Sequence, residues 1–265
     1  MNLSKVMGTL VYNDKIFISY LNKENNCQKY NIASSEVNFN KLKFKNIFTS
    51  NACGTQLNAG RMKIFNHNGK VGLLATMGGE KLNQPTNNPQ DLNSDIGKIL
   101  FIDLETKEKI IFSSGHRNPQ GLLVEGKIII STEHGPQGGD EINRIIFGKN
   151  YGWPTITYGI NYSGTPITSD RDLPGLEQPL YYWLPSIAPS GMAFSTSENY
   201  PKWKGNLLVG SLKFEYLERL VIEDNKVKER HKVLEGVGRI RNIKQGPDGL
   251  LYLGVEGKGV LKIIP

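Results

Sequence analysis

The residues best able to do chemistry crowd into one stretch, Gly115 to Pro154, GHRNPQGLLVEGKIIISTEHGPQGGDEINRIIFGKNYGWP. Arg117, Asn118, Gln120, His134, Gln137, Asp140 and Glu141 flank a single short apolar run, Lys127 to Thr132. Gly and Pro on both sides of that run fix backbone geometry, so a rigid strand aims two polar loops, which is how binding sites are commonly built. Further cations lie downstream: Lys213 in GSLK, then Arg239 and Arg241 in GRIR. An Arg fork and a Lys point charge are the usual means of holding carboxylates. Arg239 and Arg241 are two apart and would share one side of a strand. Taken singly, each of these cations reads better as a solvent-facing residue. The aromatic runs Tyr151–Gly152–Trp153–Pro154 and Tyr181–Tyr182–Trp183 offer flat surfaces, and Trp153 reads better as packing.

The elements that must position these residues are strands. With 265 residues the chain can bury a substantial core, and 29 Gly and 13 Pro among short apolar runs favour an all-β domain. A loose repeat opens on Asn13–Tyr20, Asn68–Thr76, Glu125–Thr132, Lys204–Ser211 and Asp248–Val255, each followed by a polar turn and another strand. Sheets of three or four strands repeated without helices predict a β-propeller, with one domain over residues 1–265. Irregular spacing places loop insertions at Glu80–Asp95 and Tyr158–Leu180, both rich in turn formers. The net charge of +7 arises from Lys and Arg spread along the chain with no nucleic-acid motif, so nucleic acid is not an expected partner. Nothing is apolar enough for a membrane span or a signal peptide. Cys27 and Cys53 match no metal or redox spacing and either pair or stay free.

GHRNPQG, EHGPQGGDEIN and GKNYGWP, in that order, resemble the soluble sugar dehydrogenases that use pyrroloquinoline quinone, the glucose/sorbosone dehydrogenase family. The resemblance implies a six-bladed propeller, here with an N-terminal blade shortened or missing. It implies oxidation of an aldose at its anomeric carbon, with pyrroloquinoline quinone and Ca²⁺ as cofactors, and a small-molecule sugar and an electron acceptor as partners. By the same resemblance Arg117, Asn118, Gln120, Ser186, Lys213, Arg239 and Arg241 bind the cofactor, and Arg117 also takes part in catalysis. Backbone carbonyls of Gly135 and Pro136 hold the metal, and Gln56 and Tyr181 face the substrate. A periplasmic or secreted location is implied too. Asp140 and Glu141 read either as metal ligands or as loop braces.

The chain departs from the family at one place. The family's general base is a His just before a Gly-Gly-Arg turn; the matching stretch, GTQLNAGRMKIF, carries Leu57 there. Leucine accepts no proton, and general-base catalysis is worth about 10²–10⁴ in rate. Of the four histidines, His67 and His231 read as surface residues, and His116 and His134 flank the expected pocket. Two functions follow: a dehydrogenase working with another base (His134, Asp140 or a calcium-activated water), or a catalytically silent propeller that binds a sugar, a cofactor or a partner protein. A propeller hydrolase rests on fold analogy alone.

Overall fold

The computed structural model describes residues 5–24, 27–79 and 88–265. Among them are nineteen strands in five antiparallel sheets, and no helix long and apolar enough to cross a membrane. The first sheet holds β1 (Lys5–Tyr12), β2 (Lys15–Glu24), β3 (Cys27–Glu36) and β4 (Lys45–Thr49). The second holds β5 (Leu57–His67), β6 (Lys70–Gly79), β7 (Lys98–Asp103) and β8 (Lys109–Ser113). β9 (Pro119–Glu125), β10 (Ile128–Glu133), β11 (Asp140–Arg144) and β12 (Tyr181–Trp183) make the third. The fourth comprises β13 (Pro189–Phe194), β14 (Leu207–Ser211), β15 (Leu217–Glu223) and β16 (Lys226–Val233). The fifth has only β17 (Ile240–Gln245), β18 (Leu251–Val255) and β19 (Gly259–Lys262). Strand order within each sheet is chain order, and β1, β5, β9, β13 and β17 follow one another around a common axis. This is an all-β propeller with five blades among the described residues, where the resemblance implied six.

Three hairpins within the blades have turns set by residue type. Asn13–Asp14 and Asp224–Asn225 have positive φ at both central positions, as a two-residue type I′ turn requires, and Asn68–Gly69 does the same. The runs that the sequence pattern places first in each unit are the second strands, β2, β6, β10, β14 and β18. The innermost strands hide from that pattern because they trade apolar side chains for glycine at the crowded axis. A Cβ on Gly121 of β9 would sit 2.3 Å from the Ser190 carbonyl oxygen, and one on Gly191 of β13 would sit 2.7 Å from the Asn242 Cα. Only glycine lets each inner strand approach the next so closely.

Apolar clusters cement successive blades. Phe17, Tyr30 and Ile32 of the first blade pack with Leu73, Met77 and Leu100 of the second. Leu74 and Phe101 meet Leu122 and Ile129 of the third, Ile130 and Trp183 meet Met192 and Leu207 of the fourth, and Leu208 and Leu217 meet Ile243 and Leu253 of the fifth. No such cluster joins the fifth blade to the first among the described residues. Instead β1 and β17, with β5, β9 and β13, all line an axial cavity of about 620 Å³. Cys27 and Cys53 are disulfide-bonded and tie β3 to the β4–β5 connection, where Gln28 and Gly54 also exchange backbone hydrogen bonds of 2.8 and 3.0 Å. Of the two expected insertions, residues 80–87 lie outside the described residues. Residues 158–180 form a strand-free excursion between β11 and β12, held by isolated bridges.

Candidate active site

A cavity of about 500 Å³ opens where the third, fourth and fifth blades meet. The β10–β11 turn contributes His134, Gly135, Pro136 and Gln137, and the excursion after β11 contributes Tyr162. Ser186 and Ala188 come from the segment entering β13, Lys213 from the β14–β15 turn and Arg239 from the residue before β17. Its volume falls within the roughly 300–1,000 Å³ usual for small-molecule pockets.

One buried carboxylate joins two of these segments. Asp140 Oδ1 accepts from the Gly135 N–H at 2.8 Å. Its Oδ2 accepts from Ser186 Oγ at 2.7 Å and from the N–H groups of Ile187 at 2.8 Å and Ala188 at 2.7 Å. Burial pushes its pKa up while the donors pull it back. Asp140 is therefore a loop brace, with its oxygens already engaged by the protein. Glu141, beside it, accepts from Asn143 Nδ2 at 3.1 Å; burial first, and the neighbouring Glu133 second, push its pKa up.

Arg117 lies beneath the cavity. Its Nη1 donates to the carbonyls of His134 at 2.8 Å and Gly135 at 3.0 Å, and its guanidinium sits 5.4 Å from the Trp153 ring centre. Its backbone N–H donates to Glu133 Oε2 at 3.0 Å, and Glu133 Oε1 takes the His116 Nδ1 at 2.7 Å. His116 Nε2 in turn lies 2.8 Å from Ser113 Oγ. This fully buried Ser113–His116–Glu133 chain fixes the loop that carries Arg117 and Asn118. Sequence reasoning singled out neither Glu133 nor Ser113; the one signal was a carboxylate immediately before HGP.

Among the described residues lining the cavity, His134 is the one imidazole. Its Nε2 donates to the Pro189 carbonyl at 2.7 Å, which leaves Nδ1 with a lone pair, 3.4 Å from the Asn118 Nδ2. Burial, followed by the fields of Arg117, Arg241 and Arg239, lowers its pKa to about 4. Asn118 also accepts from Gln120 Nε2 at 3.0 Å, so Asn118, Gln120 and His134 form one polar group.

The remaining expected residues are placed as follows. Arg239 and Arg241 share one strand side and converge on Glu256, whose Oε2 takes Arg239 Nε at 3.0 Å and Arg241 Nη2 at 2.7 Å. Lys213 extends along Phe214, its Nζ 5.2 Å from the ring centre. Leu57 starts β5, and its side chain is buried in the core between the first two blades rather than turned toward the cavity. The backbone still connects it to the site: Leu57 pairs with Gly79, whose N–H donates to the Arg117 carbonyl at 3.1 Å. Gln56 is exposed beside it. Tyr181 is not at the cavity; its hydroxyl accepts from Arg230 Nη1 at 2.7 Å on the seam between blades three and four. The packing reading of Tyr181 and Trp153 is the one their surroundings match.

The lining suits a polyanion: Lys213 and Arg239 supply positive charge, while the Ser186 hydroxyl proton is committed to Asp140. For a calcium ion the protein offers carbonyls alone. Among the described residues no group of three or more His, Cys, Asp or Glu could hold a metal. The Gly135 carbonyl already accepts from Arg117, and a carbonyl oxygen has a second lone pair to give. Ca²⁺ takes 6–8 oxygens. The site therefore fits calcium only where waters or a bound anionic ligand bring further oxygens.

Comparison with known proteins agrees with this architecture. The family model described as Glucose / Sorbosone dehydrogenase matches residues 6–262. The chain is 41% identical over 207 residues to the aldose sugar dehydrogenase YliI of Escherichia coli strain K12, a match covering 71% of this chain and 55% of that protein. It is 36% identical over 107 residues to quinoprotein glucose dehydrogenase B of Acinetobacter calcoaceticus, covering 32% of this chain and 22% of that one. A crystal structure of a glucose dehydrogenase superposes with a TM-score of 0.85 at 32% identity, covering 98% of this chain and 82% of that chain. The chain spans about half the length, or less, of the curated relatives it matches. With the family model matched from the first described strand to the last, the chain belongs to the glucose/sorbosone dehydrogenase family.

Proposed function

We propose that the protein is a quinone-dependent aldose dehydrogenase. The observation that carries this reading is that Gly135, Pro136, Ser186, Lys213 and Arg239, from separate stretches of sequence, line one cavity of about 500 Å³. The family membership and the names of the relatives support it. Pyrroloquinoline quinone, when bound, supplies an ortho-quinone that accepts hydride from the anomeric carbon of the sugar. Lys213 and Arg239, with Arg241 behind, would neutralise its carboxylates; the Ser186 hydroxyl, whose proton goes to Asp140, would stay an acceptor at the rim. Arg117 holds the His134 and Gly135 carbonyls in place beneath it. Calcium at the Gly135 and Pro136 carbonyls would share the ligand's oxygens and polarise the reacting carbonyl. His134 Nδ1 is the group able to take the proton of the anomeric hydroxyl, since Asp140 is saturated by its four donors. Anion binding offsets the surrounding cations and so raises the basicity of His134. The Cys27–Cys53 bond supports a periplasmic or secreted location, where disulfides persist.

The burial of Leu57 in apolar core favours a second reading, a propeller that binds the cofactor or a sugar without turnover. One titration separates the two. Purified protein is titrated with pyrroloquinoline quinone and Ca²⁺ by absorbance, and an aldose is then added. Saturable binding followed by loss of the quinone spectrum is the expected result. Binding without reduction selects the silent propeller, and absence of binding removes the cofactor reading.

A further inference from the structure

Tyr162 stands at the rim of the cavity, 48% exposed, and nothing in the sequence pattern marks it. Its mounting is stiff. Asn161–Gly164 is a turn closed by Gly164 N–H to the Asn161 carbonyl at 2.8 Å, with Tyr162 at its second position. The Asn161 N–H reaches the Thr165 carbonyl at 2.9 Å, and its Nδ2 reaches the Pro166 carbonyl at 3.2 Å. Ile160 then bridges both Pro166 and Gln137, so the arm is stitched to the turn that carries Gly135 and Pro136. Glycines permit that contact: a Cβ on Gly139 would lie 2.3 Å from the Gly159 nitrogen, and one on Gly159 2.6 Å from the Gly138 carbonyl oxygen. Behind the arm, Tyr158 stacks on Tyr182 with ring centres 3.7 Å apart and planes 7° from parallel.

A rigid arm ending in a half-exposed aromatic ring above a cationic pocket divides the labour of the site. The cations grip carboxylates, and the ring presents an apolar face to the next molecule to arrive. We propose that Tyr162 is a substrate-positioning residue, its ring packing against the C–H face of an aldose held over the cofactor cavity. This rests on the dehydrogenase reading above. Because the ring and not the hydroxyl makes the contact, Tyr162→Phe should retain function and Tyr162→Ala should lose it.

The test uses the parent protein, Tyr162→Ala and Tyr162→Phe, each first titrated with pyrroloquinoline quinone and Ca²⁺ by absorbance. Each loaded protein is then titrated calorimetrically with a 1-deoxy-aldose, which lacks the anomeric hydroxyl and so binds without being oxidised. KM and kcat for the matching aldose follow. Quinone affinity should be unchanged in all three, while Tyr162→Ala binds the deoxy-sugar about three- to tenfold more weakly, the range of one aromatic packing contact. KM should rise by a similar factor with kcat little altered, and Tyr162→Phe should match the parent. If Tyr162→Ala binds the deoxy-sugar like the parent, the inference falls and the dehydrogenase reading stands. If Tyr162→Ala instead loses quinone affinity, the ring belongs to the cofactor and the inference also falls. A parent protein that binds no quinone overturns the dehydrogenase reading, and this inference with it.

Discussion

Lys213 and Arg239 owe their place in the site to geometry, and their energetic worth to how wet they are. Arg239 is about two-fifths exposed and already shares Glu256 with Arg241, so its grip on an incoming carboxylate is screened by water. Lys213→Ala and Arg239→Ala should therefore each weaken quinone binding only about three- to fivefold. An absorbance titration checks this, and a loss beyond a hundredfold would mean that these cations are far better buried in the complex. Leu57→His follows a different logic. The position is 4% exposed and packed among apolar side chains, so an imidazole there is desolvated without a partner. The substitution should cost about 2–4 kcal/mol of stability and bring no gain in aldose oxidation; thermal melting and dye-linked assays check both. His134 sets a pH dependence. Its folded pKa is held near 4 against an ordinary 6.5, so the unfolded chain binds the extra proton first. Its contribution is thus complete above about pH 6.5 and is lost as the pH falls toward 4. Denaturant midpoints should decline across that window, and the decline should be shallower in His134→Gln.

At the scale of elements, legibility followed chemistry unevenly. Hairpin turns fall at Asn–Asp, Asn–Gly and Asp–Asn pairs, because positive φ favours those residues. The second strand of every blade was readable as an apolar run; in the second, third and fourth blades it is buried on both faces, and in the fifth burial alternates. The inner strands were not, since PQGLLVE and IRNIKQ mix glycine and cations for the sake of the axis and the site. Arg117, Lys213 and Arg239 could be found from local motifs. Glu133, Glu256 and Tyr162 could not, because their roles exist only once distant segments meet. Asp140 shows how much one such meeting carries. Asp140→Asn puts an amide N–H against one or more N–H donors, so the turn at Gly135 and the segment at Ser186–Ala188 should loosen together. The expected cost is about 2–4 kcal/mol, with a larger loss of quinone affinity than in Lys213→Ala; paired melting and binding curves test it. The Cys27–Cys53 bond, 26 residues apart, should contribute about 3 kcal/mol by restraining the unfolded chain. A Cys27→Ala/Cys53→Ala double variant, compared with the parent in denaturant, measures that figure.

For the molecule as a whole, the repeat in the sequence numbered five units, while the family resemblance implied six blades. Periodicity told of repeated sheets, and five are present among the described residues, but the closure of a ring is not written in any one repeat. What the apolar clusters describe is a series: first blade to second, second to third, third to fourth, fourth to fifth. Among the described residues such a series behaves thermally as a line rather than as a circle, each unit held by its neighbours. Opening should then begin at β1 and at β17–β19 and travel inward, so the backbone amides of β6 and β10 exchange last. The proposed ligand touches the last three units of that line and none of the first two. Its binding should slow exchange from one terminus of the array while leaving the other free to fray, so that a symmetric fold acquires a loose end and a fast one.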